Sequence, residues 1–224
     1  MEIEVVYQHS DFIIINKSEG ISVHKDQEEQ GLTELVAKQL NVSQVWLVHR
    51  LDKVTSGLLI LALNAESAAE FSRLFSEHKI YKTYLALSNQ KPKKKQGLIV
   101  GDMKKARDGA WKLCQTKENP AITRFESVNC EPNLRLFILK PQTGKTHQLR
   151  VAMKSLGSPI LGDGLYGKNT EKIDRTYLHS VQLEFDYLKD FISVTCFPIQ
   201  GQFWLKPTVF EQIQVYLTKP FLSK

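Results

Sequence analysis

The chain has 224 residues, 42% of them hydrophobic, which is enough for a sizeable core in one domain or two fused halves. A net charge of +6 and a pI of about 9.1 favour polyanionic partners, although that property is shared by many proteins with other roles. Cys114, Cys130 and Cys196 are widely spaced with no C-x-x-C pair, which argues against a disulfide framework and a zinc site, and no stretch approaches membrane-spanning length. The first residues have no basic lead followed by a long apolar run, so a soluble cytoplasmic protein is the simplest expectation.

In chain order, Ile3 to Tyr7 and Phe12 to Asn16 read as a strand pair turned at Ser10-Asp11. Lys17 to Gly31 is polar and reads as a loop. Leu32, Leu35, Val36 and Leu40 have helical spacing. Val45 to Val48 and Leu58 to Leu63 are short apolar runs of strand type. Asn64 is a candidate N-cap for a helix over Ala65 to Glu77, with Phe71, Leu74 and Phe75 inward. Ile80 to Leu87 reads as a strand, and Lys91 to Gly97 as a loop. Ile122 to Val128 and Leu134 to Leu139 alternate as paired strands around Glu131-Pro132-Asn133. Thr146 to Leu156 suits a helix closed by Gly157. Leu178 to Phe185 and Phe191 to Phe197 are later strands, and Phe210 to Leu217 a terminal helix. Many strands with a few helices in no strict alternation predict an α+β fold. No repeat of fixed period and no biased linker divides residues 1–224, so a single domain is expected.

The most informative stretch is Val48-His49-Arg50-Leu51-Asp52-Lys53-Val54-Thr55-Ser56-Gly57-Leu58-Leu59-Ile60. A carboxylate between two core strands is costly to bury unless it has a partner, so Asp52 needs one, or a task. By residue type alone, an ion pair with Arg50 closing a strand-to-strand turn is the simpler explanation.

This stretch resembles the active-site signature of the RNA pseudouridine synthases, in the H-R-L-D branch that modifies ribosomal and transfer RNA. Lys82-Thr83-Tyr84-Leu85-Ala86 resembles the branch's second motif, a basic residue followed by Tyr-x-Ala. Thr143-Gly144-Lys145-Thr146-His147-Gln148-Leu149-Arg150, continuing through Gly162-Asp163 and Tyr166-Gly167, resembles its third. Asn16-Lys17-Ser18-Glu19-Gly20 is similar to an opening N-K-P-x-G. Several motifs in order, over about residues 12 to 200, make a specific signal.

The resemblance implies a large mixed, mostly antiparallel sheet with flanking helices and a central RNA-binding cleft. It also implies a catalytic core without the extra N-terminal RNA-binding domain of some members. The reaction breaks C1′–N1 and makes C1′–C5, with no redox or phosphoryl change. No cofactor or metal is therefore expected, and the six histidines form no H-x-x-x-H pattern. By residue-for-residue match, Asp52 is the catalytic carboxylate, attacking C1′ or abstracting the C2′ proton. Arg150 is the positively charged partner that keeps Asp52 ionised and aimed. Tyr84 is the platform for the extruded uracil, although Tyr81 lies nearby and either ring could be core. Arg50 is expected to enter the RNA helix where the target base leaves. His49, Lys82, Lys145 and Leu149 complete the substrate-binding set, with a loop-shaping role for His49 equally open.

Lys145 stands where many relatives have Arg and so loses the bidentate fork. Ser18 replaces the usual Pro and leaves the first loop less constrained. Lys91, Lys93, Lys94, Lys95, Lys104, Lys105 and Arg107 could grip phosphates or be solvated loop. The expected partner is RNA, ribosomal or transfer, bound by a monomer with no membrane. A phosphate-binding loop is excluded, because Leu139 stands where its first glycine must be, and no G-x-S-x-G occurs. The remaining alternative is an RNA-binding or chaperone protein of the same fold that has lost catalysis.

Overall fold

The computed structural model describes residues 2–23, 31–167 and 173–217. It opens with β1 (Glu4–Gln8) and β2 (Phe12–Lys17), the expected antiparallel pair. Helix α1 (Leu32–Leu40) ends where Asn41 adopts a left-handed conformation. Strand β3 (Trp46–Leu47) is shorter than its apolar run, and β4 (Ser56–Ala62) is buried throughout. Helix α2 (Ala65–Ser76) is capped as predicted, with Asn64 Oδ1 accepting the Ser67 N–H at 2.8 Å.

Strand β5 (Tyr81–Ser88) is followed by three strands that the sequence pattern did not reveal, β6 (Gln96–Gly101), β7 (Met103–Lys105) and β8 (Trp111–Leu113). The loop over 91–97 therefore ends at Lys95, since Gln96 and Gly97 already belong to β6. Strands β7 and β8 form their own hairpin, and three residues apiece are too few to show a period of two. Strands β9 (Ala121–Glu131) and β10 (Leu134–Pro141) pair around the expected turn, with Asn133 at φ 59°.

Helix α3 (Gln148–Ser155) begins two residues later than predicted, because His147 is left-handed at φ 56°. It ends in a Schellman motif, with Gly157 N–H on Lys154 O and Ser158 N–H on Met153 O. Strands β11 (Leu178–Tyr187) and β12 (Asp190–Thr195) and helix α4 (Pro207–Leu217) complete the described chain.

The main sheet runs β1-β2-β4-β11-β5-β10-β9-β6, with β12 beside β11 and β3 beside β4. Its pairings are antiparallel except for β4 with β11, as the α+β reading required. Alternation distributes each central strand between two cores. Ile13, Ile15, Leu59 and Leu61 pack on one face, and Phe12, Ile14, Leu58 and Ile60 on the other. This explains why β2 and β4 read as unbroken apolar runs.

The sheet opens beside β4. Ser56 and Gly57 pair with His179 and Ser180 of β11, whereas Leu61 and Ala62 pair with β3. Residues 48–55, carrying the H-R-L-D sequence, occupy the gap between these two contacts. Gly57 holds the junction at φ 107°, where an added Cβ would collide with the Ser180 carbonyl. Replacing Gly57 with Ala is expected to lower stability by at least ~2 kcal/mol through strain and overpacking. Denaturant unfolding checks it, and a variant as stable as wild type would refute the role assigned to this glycine.

Candidate active site

Beside the opening in the sheet lies a cleft of about 420 Å³. Its wall includes His49, Arg50, Asp52, Lys82, Tyr84 and Lys145, with Leu149 behind them. Three segments far apart in sequence therefore meet at one surface: the H-R-L-D loop, β5, and the loop into α3. Arg150, the eighth residue singled out above, stands behind Asp52 and is 6% exposed.

The loop carrying Asp52 is held at its backbone. Asp52 O accepts the Thr55 N–H at 2.9 Å, and Lys53 O accepts the Gly20 N–H at 2.9 Å. Lys17, the buried end of β2, aims its ammonium at Ser18 O, Ile21 O and Lys53 O. Burial lowers the Lys17 pKa to about 8, although the charges of Glu19 and Asp52 oppose that shift. The opening Asn16-Lys17-Ser18-Glu19-Gly20 motif is thus a clamp on the turn after Asp52, a role that its residue types alone do not suggest. The lysine grips the carbonyl of Ser18 itself.

Asp52 pairs with Arg150, Nη1 to Oδ2 at 3.4 Å, and not with its neighbour Arg50. Arg150 is fixed from behind by Asp163, with Nε–Oδ2 at 2.8 Å and Nη2–Oδ1 at 2.9 Å. Asp163 is fully buried and also accepts the amides of Leu165 and Tyr166. Its four contacts match the acceptor capacity of one carboxylate. The bidentate grip orients the guanidinium, and the longer third contact leaves Asp52 room to move toward a substrate. Asp163 belongs to the third motif, but its role is invisible in sequence, because its partner is thirteen residues away across a helix.

The alternation of β5 sets its contribution. Lys82 and Tyr84 share the cleft face, while Tyr81 is 65% exposed, so of the two tyrosines it is Tyr84 that borders the cleft. Burial pushes its phenol up to about 12. Lys82 Nζ lies 5.6 Å from the centre of the Phe75 ring, which in turn lies 4.7 Å from that of His49. Phe75, expected inward, is thus part of the cleft wall.

His49 does strand work. Ile60 lies in the part of β4 between its two neighbours, and its N–H donates to His49 Nε2 at 2.8 Å. That bond requires a neutral ring, and burial pushes the His49 pKa down to about 3. Gln148 organises the loop before α3: its Oε1 accepts from Thr143 Oγ1 and the Lys145 amide, and its Nε2 reaches Ile122 O. Lys145 Nζ contacts Asn119 Oδ1 at 2.6 Å, and Arg50 Nη2 reaches Thr146 Oγ1 at 3.3 Å, linking two of the motifs. Among the described residues no cluster of three or more metal-ligating side chains occurs.

Behind the loop, Arg175 donates to Ser56 Oγ at 2.7 Å, and Ser56 meets His179 Nδ1 at 2.9 Å. Burial holds His179 near pH 4. Both His49 and His179 titrate below the value near 6.5 of an unfolded chain. Their stabilising contribution is therefore complete above about pH 6.5 and is lost as pH falls through the folded values. Stability is expected to fall by about 1.4 kcal/mol per pH unit for each ring below pH 6. Urea midpoints between pH 7 and 4.5 measure this, and a flat profile in the His49→Gln, His179→Gln double variant identifies the source. Asp163→Asn, which removes the anchoring charge of the buried Arg150 and leaves it only the longer Asp52 contact, is expected to cost about 3–5 kcal/mol. Unchanged thermal stability in that variant would contradict the arrangement described.

The family model described as RNA pseudouridylate synthase matches residues 11–155. An uncharacterized RNA pseudouridine synthase of Haemophilus influenzae is 94% identical over 224 residues, covering 100% of both chains. A tRNA pseudouridine synthase C of Haemophilus ducreyi is 33% identical, over 91% of this chain and 93% of that one. Human RNA pseudouridylate synthase domain containing 1 shares the fold, with a TM-score of 0.76 at 24% identity, over 99% of this chain and 97% of that one. With these similarities and a cleft assembled from the H-R-L-D, K-x-Y-x-A and T-G-K-T-H-Q-L-R segments, the chain belongs to the RNA pseudouridine synthase family of isomerases.

Proposed function

We propose that this chain converts a small set of uridines in transfer or ribosomal RNA to pseudouridine, with Asp52 as its catalytic carboxylate. One observation carries the assignment: Asp52 borders the cleft while a buried, immobilised guanidinium stands 3.4 Å behind it. Uridine must lose its C1′–N1 bond and gain a C1′–C5 bond, with a proton leaving C5 and one added at N1. An ionised carboxylate at C1′ and C2′ serves both routes, attack on C1′ or removal of the C2′ proton. Arg150 acts through Asp52 as a positioning residue. Tyr84 supplies the ring on which the extruded uracil stacks, and Leu149 an apolar wall.

Arg50 is exposed at the lip, where a planar cation can fill the gap left in the RNA stack. Lys82 and Lys145 add positive charge on either side. His49 shapes the loop. The basic segment divides in two. Lys104, Lys105 and Arg107 lie on or beside the β7–β8 hairpin, whose Trp111 amide bonds Tyr166 next to the loop into α3. Lys91 to Lys95 lie toward the other end of α3, where the Lys93 amide meets Leu156 O. The hairpin is therefore the phosphate grip in this reading. Transfer RNA is the substrate to test first, given the relative named for it that covers nearly the whole chain. The working unit is a monomeric, single-domain cytoplasmic enzyme.

A pseudouridine map of total RNA from the parent strain and from a strain lacking the gene tests the assignment. Sites missing in the deletion are expected to return with the wild-type gene and not with Asp52→Asn. Restoration by Asp52→Asn, or no missing site, would defeat it. Removing Lys104, Lys105 and Arg107 together is expected to weaken RNA binding and flatten the log–log salt dependence by roughly 0.7–0.9 for each phosphate no longer neutralised. Alanines at Lys91, Lys93, Lys94 and Lys95 are expected to change it less, and the reverse ranking would move the grip to the other end of α3.

A further inference from the structure

His147 sits in the left-handed region at φ 56°, a conformation that non-glycine residues rarely adopt, and its ring borders the cleft. Nδ1 lies 2.9 Å from the Tyr166 hydroxyl. Tyr166 is 4% exposed, so its hydroxyl proton needs an acceptor inside the protein. The phenol oxygen already accepts the Trp111 N–H at 2.8 Å. Among the described residues, His147 Nδ1 is the acceptor within reach of that proton. Tyr166 therefore donates to Nδ1, and the neutral imidazole must carry its own proton on Nε2. Protonating the ring would turn Nδ1 into a donor and strand the phenol proton. Burial also disfavours that cation, while Asp52 and Asp163 draw it and Arg150 and Arg50 oppose it. Nε2–H is then a donor in one defined tautomer, with no partner among the described residues, on a ring at the cleft wall.

We propose that His147 contacts the substrate, its Nε2–H donating a hydrogen bond to an acceptor oxygen of the target nucleotide, with Tyr166 fixing the tautomer. The inference rests on the pseudouridine-forming activity assigned above and adds a binding group to it. No proton is transferred by His147 in this role.

Two substitutions separate contact from loop structure. Asn accepts the left-handed backbone and places its amide where Nδ1 stood, keeping the loop and a partner for Tyr166 but losing the outer donor. Gln reaches the position of Nε2. Pseudouridine formation is measured on RNA from a strain lacking the gene, beside thermal unfolding of each variant. His147→Asn is expected to unfold like wild type while kcat/KM falls roughly 10- to 100-fold, the worth of one buried donor. His147→Gln is expected to recover most of that loss. Nitrogen-15 spectra of the wild-type histidines are expected to show His147 protonated at Nε2, and Tyr166→Phe to mix the two tautomers. Full activity of His147→Asn, or a wild-type ring protonated at Nδ1, overturns the inference. If wild type and Asp52→Asn are equally inactive, the assigned activity itself has failed; an active wild type with an inactive Asp52→Asn leaves the His147 variants to decide the role of His147 alone. Target RNA carrying 2-thiouridine or 4-thiouridine, whose sulfur accepts poorly, locates the oxygen. Loss of the wild-type advantage over His147→Asn assigns it to uracil, and a retained advantage assigns it to ribose or phosphate.

Discussion

The site depends on one guanidinium shared between two carboxylates. Arg150 is held by Asp163 through two short bonds and reaches Asp52 with its remaining nitrogen. A buried cation with one partner would be neutralised by it, and one with none would be too costly to keep. With two, it can be anchored by the deeper carboxylate and still orient the shallower one. The inequality of the contacts matters: Asp163 is fully buried, whereas the Asp52 side chain is 22% exposed. Tyr166 covers the same guanidinium, 5.0 Å from its ring centre, and so belongs to the packing of Arg150 as well as to the setting of His147.

The second constraint is the parting of the sheet beside β4. A continuous sheet would offer no cleft, because each strand edge would be covered by the next. Here β11 meets β4 in parallel over two residue pairs, and β3 meets it farther along. The backbone left between them still needs partners, and the Ile60 amide takes the His49 ring. The H-R-L-D loop is thus built into the sheet as well as into the cleft. Lys17 and Gly20 bind the same turn from the other side through Lys53 O. Asp52 is placed by a turn tied to the sheet on both sides, and a site on such a support holds its geometry better than one on a free loop.

Much of this was legible in the amino-acid pattern. The long strands, the Asn64 cap and the Gly157 stop each had a local cause and stood close to where that cause put them. The preference for Tyr84 over Tyr81 rested on a motif, and strand alternation supplies its physical reason. The hairpin of β7 and β8 and the edge strand β6 were not legible. Their apolar residues are few and only Ile99 of them is buried, and the hairpin gains its place through a bond from the Trp111 amide to Tyr166 that no local side-chain pattern encodes. The start of α3 was not legible either, because nothing in the pattern marks Thr146 and His147 as outside the helix, while in the folded chain His147 is left-handed.

The sequence by itself named the candidate groups, Asp52, Tyr84, Arg150 and a basic surface, through residue types in a family order. It also determined the central strands, since burial on both faces demands continuous apolar runs. Tertiary structure alone decided how those groups are arranged. It placed Arg150 behind Asp52, gave Asp163 the task of holding it, turned His49 into a strand partner and fixed the tautomer of His147. The reason is one of range. Periodicity and capping act within a few residues, whereas charge pairing and tautomer choice depend on which distant side chains meet in the folded chain.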